Sequence, residues 1–377
     1  MKVNMKNVFI ETPFFSTLRE RIDLSGGLMN AHLHIDRSGT LHVEKTKDSG
    51  SIVSDLSLNA KHALIPAIHN SEEYEINHLK KRVAYYLELM IALGTTRADT
   101  FVDVTDDRVQ CSALEALGDL KSKAINFNLG AYSPLGFKDN EPGRWNIIEK
   151  GAEKADFIGS LPERDSKRDY PENIGFYEHV LRFLDLSKRL KKPLHIHVDQ
   201  RNDPRENGTE LVIDAIEKFN YPVNTNEEPM IWLVHVISPS TYEEDRFNKL
   251  LEKIRGLNLG VICCPSAAIS MRQLSPIKTP VFNSIARVLE MLANNIPVRL
   301  GSDNICDITS PFGTADLMDE IFLLANALRF YDISILAKLG SGHQLSADEI
   351  DLVRDHLKKD RLEIKRSVEN YFPDPSY

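Results

Sequence analysis

The chain has 377 residues, 42% of them hydrophobic, which is enough to bury one large core. Its 55 acidic against 46 basic side chains leave a formal net charge of −9 and no basic footprint for nucleic acid or an anionic membrane surface. No apolar run approaches the ~20 residues of a membrane span, and the opening Met-Lys-Val-Asn-Met-Lys lacks the apolar stretch of a secretory signal, so a cytoplasmic location is expected.

In chain order, residues 1–26 form an N-terminal extension before the first strand-like run. Apolar runs follow at 27–36, 96–104, 124–132, 155–161, 193–199, 230–237, 257–264 and 297–303. Between them, amphipathic segments such as 72–93, 173–190, 208–219, 242–254 and 282–293 carry apolar residues near the helical period. Strand and helix alternating through eight strands predict an α/β fold, a (β/α)8 TIM barrel spanning 27–345. The tail, 346–377, reads as a charged helix that Ser346 and Glu349 open as a capping box, and its expected task is to cover the barrel.

His32 and His34 flank Leu33 at the end of the first run, and residues i and i+2 of a strand share a face. Two imidazoles there can bite one metal ion, or they can be two polar side chains on a wet sheet face. The later strands sharpen the choice. His197, His235 and Asp303 each lie at or near the C-terminal end of an apolar run, where catalytic groups of a TIM barrel sit. An unpaired charge buried there would cost several kcal/mol or more, and a shared divalent cation supplies the partner. His195, two residues before His197, is expected one layer deeper as a hydrogen-bonded interior histidine. His42, His62, His69, His78, His179, His343 and His356 fall in loops or on helices. Cys111, Cys263, Cys264 and Cys306 do not form a disulfide framework; Cys263 and Cys264 read as small packing residues, and Cys306 follows Asp303 into a candidate substrate loop.

Several motifs in order carry a resemblance: Asn30-Ala-His-Leu-His-Ile-Asp36, Arg97-Ala-Asp-Thr-Phe-Val-Asp-Val104, Ala155-Asp-Phe-Ile-Gly-Ser-Leu-Pro162, His197-Val-Asp-Gln200, His235, and Gly301-Ser-Asp-Asn304 with Ser310-Pro-Phe-Gly-Thr-Ala-Asp316. From about 27 to about 330 the chain resembles the cytosine deaminase-like branch of the amidohydrolase superfamily of metal-dependent hydrolases. The resemblance implies His32, His34, His197 and Asp303 as metal ligands, Asp303 as general base and then acid, and His235 as the group that orients the nucleophile and polarises the scissile carbon. Three neutral imidazoles and a carboxylate leave room for water, whose pKa a divalent ion lowers from about 15.7 to about 7. One ion per chain is expected, because residues 155–162 offer no bridging lysine. Zinc is favoured, and Fe(II) or Mn(II) suits the same donors.

The chain also departs from that pattern. The deaminases place a proton-shuttling glutamate three residues after the fifth-strand histidine, and this chain has Gln200, which has no titratable proton to give. Asp199 is a conceivable substitute, and Asp103 a candidate to orient a ligand histidine. Asn304 stands where a second aspartate is usual, Ala131-Tyr-Ser-Pro-Leu-Gly136 lacks the glutamine that reads a pyrimidine edge, and the aromatic that would cover a planar base is missing near Asp307-Ile-Thr-Ser-Pro311. The accessory β-sandwich of the family is expected to be reduced or absent. These departures shift the expected substrate away from cytosine, towards the C–N bond of an amide, cyclic amide or substituted amine in a small polar nitrogenous compound, with the Gln200 amide as hydrogen-bond donor and acceptor to it. A deaminase of another amino-heterocycle and a metal-binding pseudoenzyme are the alternatives. Partners beyond a small-molecule substrate are not expected from nucleic acid or membrane, and a homo-oligomer is left open.

Overall fold

The computed structural model describes residues 12–41, 56–122, 124–224, 227–271 and 285–371. Eight strands follow one another around a single sheet: β1 (Leu28–Leu33), β2 (Thr95–Asp103), β3 (Asn126–Tyr132), β4 (Phe157–Ser160), β5 (Leu194–Val198), β6 (Ile231–His235), β7 (Gly260–Cys263) and β8 (Val298–Leu300). Each pairs in parallel with the next. The ring closes just past β8, where Leu33 and Asp303 form a parallel bridge. There the Asp303 N–H donates to the His32 carbonyl at 3.0 Å, and the His34 N–H donates to the Asp303 carbonyl at 2.8 Å. The seam of the barrel and the candidate ligands are thus the same residues. Gly301 makes the approach feasible, because a Cβ on it would sit 2.7 Å from the His32 carbonyl oxygen and 2.9 Å from its nitrogen.

The helices follow the apolar periodicity. Ile76–Ala92 buries Leu79, Val83, Leu87 and Met90, and Glu244–Gly256 buries Phe247, Leu250, Leu251 and Ile254, one stripe each against the sheet. Fully burying such a side chain contributes roughly 1.5–3 kcal/mol, so these stripes hold the helical layer on the barrel. The segment expected at 282–293 is a helix over Val288–Ala293, and 282–284 lie outside the described residues.

The first and last described helices pack on the helical layer. Pro13–Leu24, capped by Thr12 and started by Pro13, buries Leu18 and Ile22 and packs on Ile333–Gly340. Ala347–Tyr371 packs on Val288–Ala293, and its expected capping box is present: Ser346 N–H donates to Glu349 Oε2 at 2.7 Å, and Glu349 N–H to Ser346 Oγ at 3.4 Å. Among the described residues the eight barrel strands are the only strands, so these residues form no β-sandwich. No described helix is long and apolar enough to cross a membrane.

Candidate metal centre

The C-terminal ends of β1, β5, β6 and β8 converge on one point. His32, His197, His235 and Asp303 each offer a donor atom there, all within 4.8 Å of one another. His32 Nε2 lies 3.3 Å and His34 Nε2 3.5 Å from Asp303 Oδ1. Backbone geometry aims two of these groups: His235 has φ of 78° and Asp303 φ of 59°, left-handed conformations that end their strands and that non-glycine residues seldom adopt.

The donor chemistry fits a divalent cation. His197 Nδ1 donates to the Ser160 carbonyl at 3.2 Å, which fixes the ring proton there and leaves the Nε2 lone pair free. Nδ1 of His32 and of His235 are buried without a hydrogen-bond partner among the described residues, and His32 Nε2 has the 3.3 Å contact with Asp303 but no well-aligned hydrogen bond. Buried nitrogens of this kind are costly unless something binds them. Burial holds His34 and His197 well below the ordinary imidazole range and brings His235 to about 4, so all three are neutral near pH 7, as ligation requires. Burial alone would push the Asp303 carboxyl up; contact with His32, His235 and His197 outweighs it and holds the group ionised.

His34 is also gripped from behind. Arg37 Nη2 lies 3.0 Å from His34 Nδ1, and since a guanidinium only donates, this contact leaves the proton of neutral His34 on Nε2. Arg37 in turn makes a bidentate pair with Asp103, at 2.9 and 3.0 Å. Asp103 therefore reaches the candidate ligand through Arg37, not directly. It also accepts from the Tyr74 hydroxyl at 3.1 Å and from His69 Nε2 at 3.0 Å, while His69 Nδ1 donates to Asp107 at 2.6 Å. His69, which the sequence shows only as one more helix or loop histidine, is fully buried. No local pattern links it to Asp103; the chain's return over the barrel mouth does.

The remaining expectations divide. Gln200 is buried at the cavity wall, and its Nε2 donates to Glu163 Oε2 at 2.9 Å, so part of its donor capacity is spent within the protein. Asp199, expected on the face of His197, is turned aside by its φ of 56° and accepts from the N–H groups of Gly208 and Thr209 at 2.6 and 2.9 Å. It caps the Gly208–Phe219 helix and does not line the cavity. His195, two residues before His197 on β5, has its ring 4.4 Å from that of Phe157, and its Nδ1 has no hydrogen-bond partner among the described residues. Cys263 and Cys264 are buried and unpaired, and Cys306 does not line the cavity. Asn304 does, with its amide donating to Asp307 at 2.6 Å.

The described residues leave a cavity of about 40 Å³ over the centre. Tyr132, Gln200, Asn304, Thr309 and His62 line it beside the ligand candidates. His62 is a wall residue that the sequence did not single out. Residues 42–55, His42 among them, and 272–284 lie outside the described residues.

Among solved structures, the barrel is similar to 5-methylcytosine deaminase from Klebsiella pneumoniae (TM-score 0.67, 19% identity, 80% of this chain and 69% of that one). It is also similar to N-isopropylammelide isopropylaminohydrolase from Burkholderia multivorans (TM-score 0.61, 18% identity, 83% and 72%). These likenesses show a shared fold, the barrel of eight parallel strands. By sequence, the chain belongs to one family with an uncharacterized protein of Haemophilus influenzae, to which it is 30% identical over 282 residues, 74% of this chain and 95% of that protein. No family model matches the chain.

Proposed function

We propose that the protein is a mononuclear metal-dependent hydrolase that cleaves a C–N bond of a small polar nitrogenous compound. The observation that carries this reading is the set of buried, partly unpartnered imidazoles gathered with Asp303 at the barrel mouth. His32, His34, His197 and Asp303 are the proposed ligands, for zinc first and for Fe(II) or Mn(II) with the same donors. The ion would supply hydroxide at neutral pH. Ligation through His34 Nε2 requires Arg37 to release Nδ1 and rest on Asp103 alone.

In this reading Asp303 takes a proton from the attacking water and returns it to the leaving nitrogen, and His235 stabilises charge developing on the carbon's substituent; their gathering at one point with His32 and His197 supports it. Both acts complete the hydrolysis of an amide, cyclic amide or substituted amine without a separate acid at position 200. The names of the two solved relatives, a deaminase and an isopropylaminohydrolase, support a C–N bond as the one broken. Deamination of an amino-heterocycle other than cytosine is the second reading. Four unpaired cysteines suit a cytoplasmic place of action.

The test is elemental analysis of protein produced with ample zinc, iron and manganese, followed by assays of ammonia or amine release over amides, cyclic amides and amino-heterocycles. About one ion per chain with turnover on the panel is expected. Metal-free protein would sink the proposal, and a full site with no turnover would identify a pseudoenzyme.

A further inference from the structure

The Ala347–Tyr371 helix rests on the helical layer along one stripe and leaves the opposite side bare. Ile350 and Val353 are buried, Leu357 packs on the core, and the helix is seated there on Val288–Ala293. Beyond Leu357 that support ends. Residues 358–366 are all exposed, and nine successive residues cover every face of a helix with about 3.6 residues per turn. A helix takes most of its stability from a packed face, so this half lacks what usually sustains one. On the side opposite the inward stripe, Asp348, Leu352, Asp355, Lys359, Leu362 and Arg366 recur at alternating steps of four and three, the spacing of a coiled-coil seam. All six are exposed, Leu352 by 54% and Leu362 by 49%. Asp348, Asp355 and Lys359 form no ion pair among the described residues, and Arg366 reaches Glu363 at 3.6 Å.

We infer that this seam pairs with the same seam of a second copy of the chain, the two helices antiparallel about a two-fold axis at the level of Leu357. Charge complementarity selects that partner. The seam is acidic before Leu357 and basic after it, so an antiparallel copy meets it with the opposite sign throughout. Asp348 and Arg366 stand nine residues either side of Leu357, Leu352 and Leu362 five, and Asp355 and Lys359 two, so the axis sets each against the other member of its pair. One dimer thereby gains four ion pairs and two leucine contacts, and the contact is isologous and closed. Asp351 and Glu363, six residues either side, fall on opposite flanks of the seam and do not meet. A parallel copy would instead set each charge against its own kind. The inference is independent of the hydrolase reading.

Sedimentation equilibrium of the full chain over about 1–200 µM reads the association by mass action. The wild type should pass from monomer to dimer in that range. Two double variants test the seam: Lys359→Asp with Arg366→Asp, and Asp348→Lys with Asp355→Lys. Each turns the ion pairs of its own dimer into repulsions and should weaken self-association by on the order of 100-fold. Mixed in equal amounts, the two variants present one wholly acidic and one wholly basic set of seam charges, and the mixture should dimerise as tightly as wild type. A misfolded helix could not give that rescue. Wild type that stays monomeric across the range, either variant as dimeric as wild type, or a mixture that stays monomeric overturns the inference.

Discussion

His69 is the group whose charge most directly supports the region behind the candidate centre. Burial opposes protonation of its ring, but hydrogen bonds to Asp103 and Asp107 prevail and raise its pKa from 6.5 to about 9. At neutral pH it is an imidazolium between two carboxylates, with Arg37 as the other cation on Asp103. Because the folded value exceeds the unfolded one, this stabilisation is fully present below about pH 6.5 and is lost as pH rises through about 9. Inside that window the unfolded chain has released a proton that the folded chain retains, so unfolding free energy falls by about 1.4 kcal/mol per pH unit. The whole window is worth about 3 kcal/mol, a large share of the ~5–15 kcal/mol typical of folded proteins. Urea unfolding from about pH 6 to about pH 10 in wild type and His69→Gln reads the effect. The wild type should lose about 3 kcal/mol more than the variant across the range. Parallel stability curves would refute the assignment, since other titrating groups act equally on both proteins.

Gly301→Ala would press a methyl group against the backbone of His32, which cannot swing aside as a side chain can. A loss on the order of 1–3 kcal/mol or more is expected, with weaker metal retention against a chelator; a variant equal to wild type in melting and metal content would contradict the described seam. His235→Asn and Asp303→Asn should each lower kcat by on the order of 100-fold or more. Metal content separates their roles: His235→Asn should keep the ion and His34→Asn lose it, and the opposite pattern would make His235 the ligand in place of His34. Asp199→Ala removes the cap from Gly208 and Thr209, costing about 0.5–2 kcal/mol of stability with metal content unchanged. Turnover collapsing in that variant while its fold and metal content persist would return Asp199 to the chemistry.

The eight strands, their order and the helices between them were legible in the sequence because period and apolar content are local properties that survive in the folded barrel. His32, His34, His197, His235 and Asp303 were legible for a related reason: in a parallel barrel, the ends of successive strands arrive at one mouth, so position along the chain already implies position in space. The capping box at Ser346 and Glu349, a contact across one helical turn, was readable in the same way. Where strands end in left-handed backbone, that logic stopped. Asp199 follows His197 by two residues yet faces a helix N-terminus, because its φ of 56° breaks the alternation that an ideal strand would impose. Packing likewise set the His195 ring against Phe157, a contact that its spacing along the strand does not reveal. His69 against Asp103, Arg37 against both His34 and Asp103, and Glu163 against Gln200 are decided by loops folding back over the mouth. Sequence alone therefore determined which residues stand at the mouth of the barrel, since that follows from repeating local geometry. Tertiary structure decided what holds each of them and which atom it offers to a ligand, since hydrogen-bond direction depends on partners brought together from distant parts of the chain.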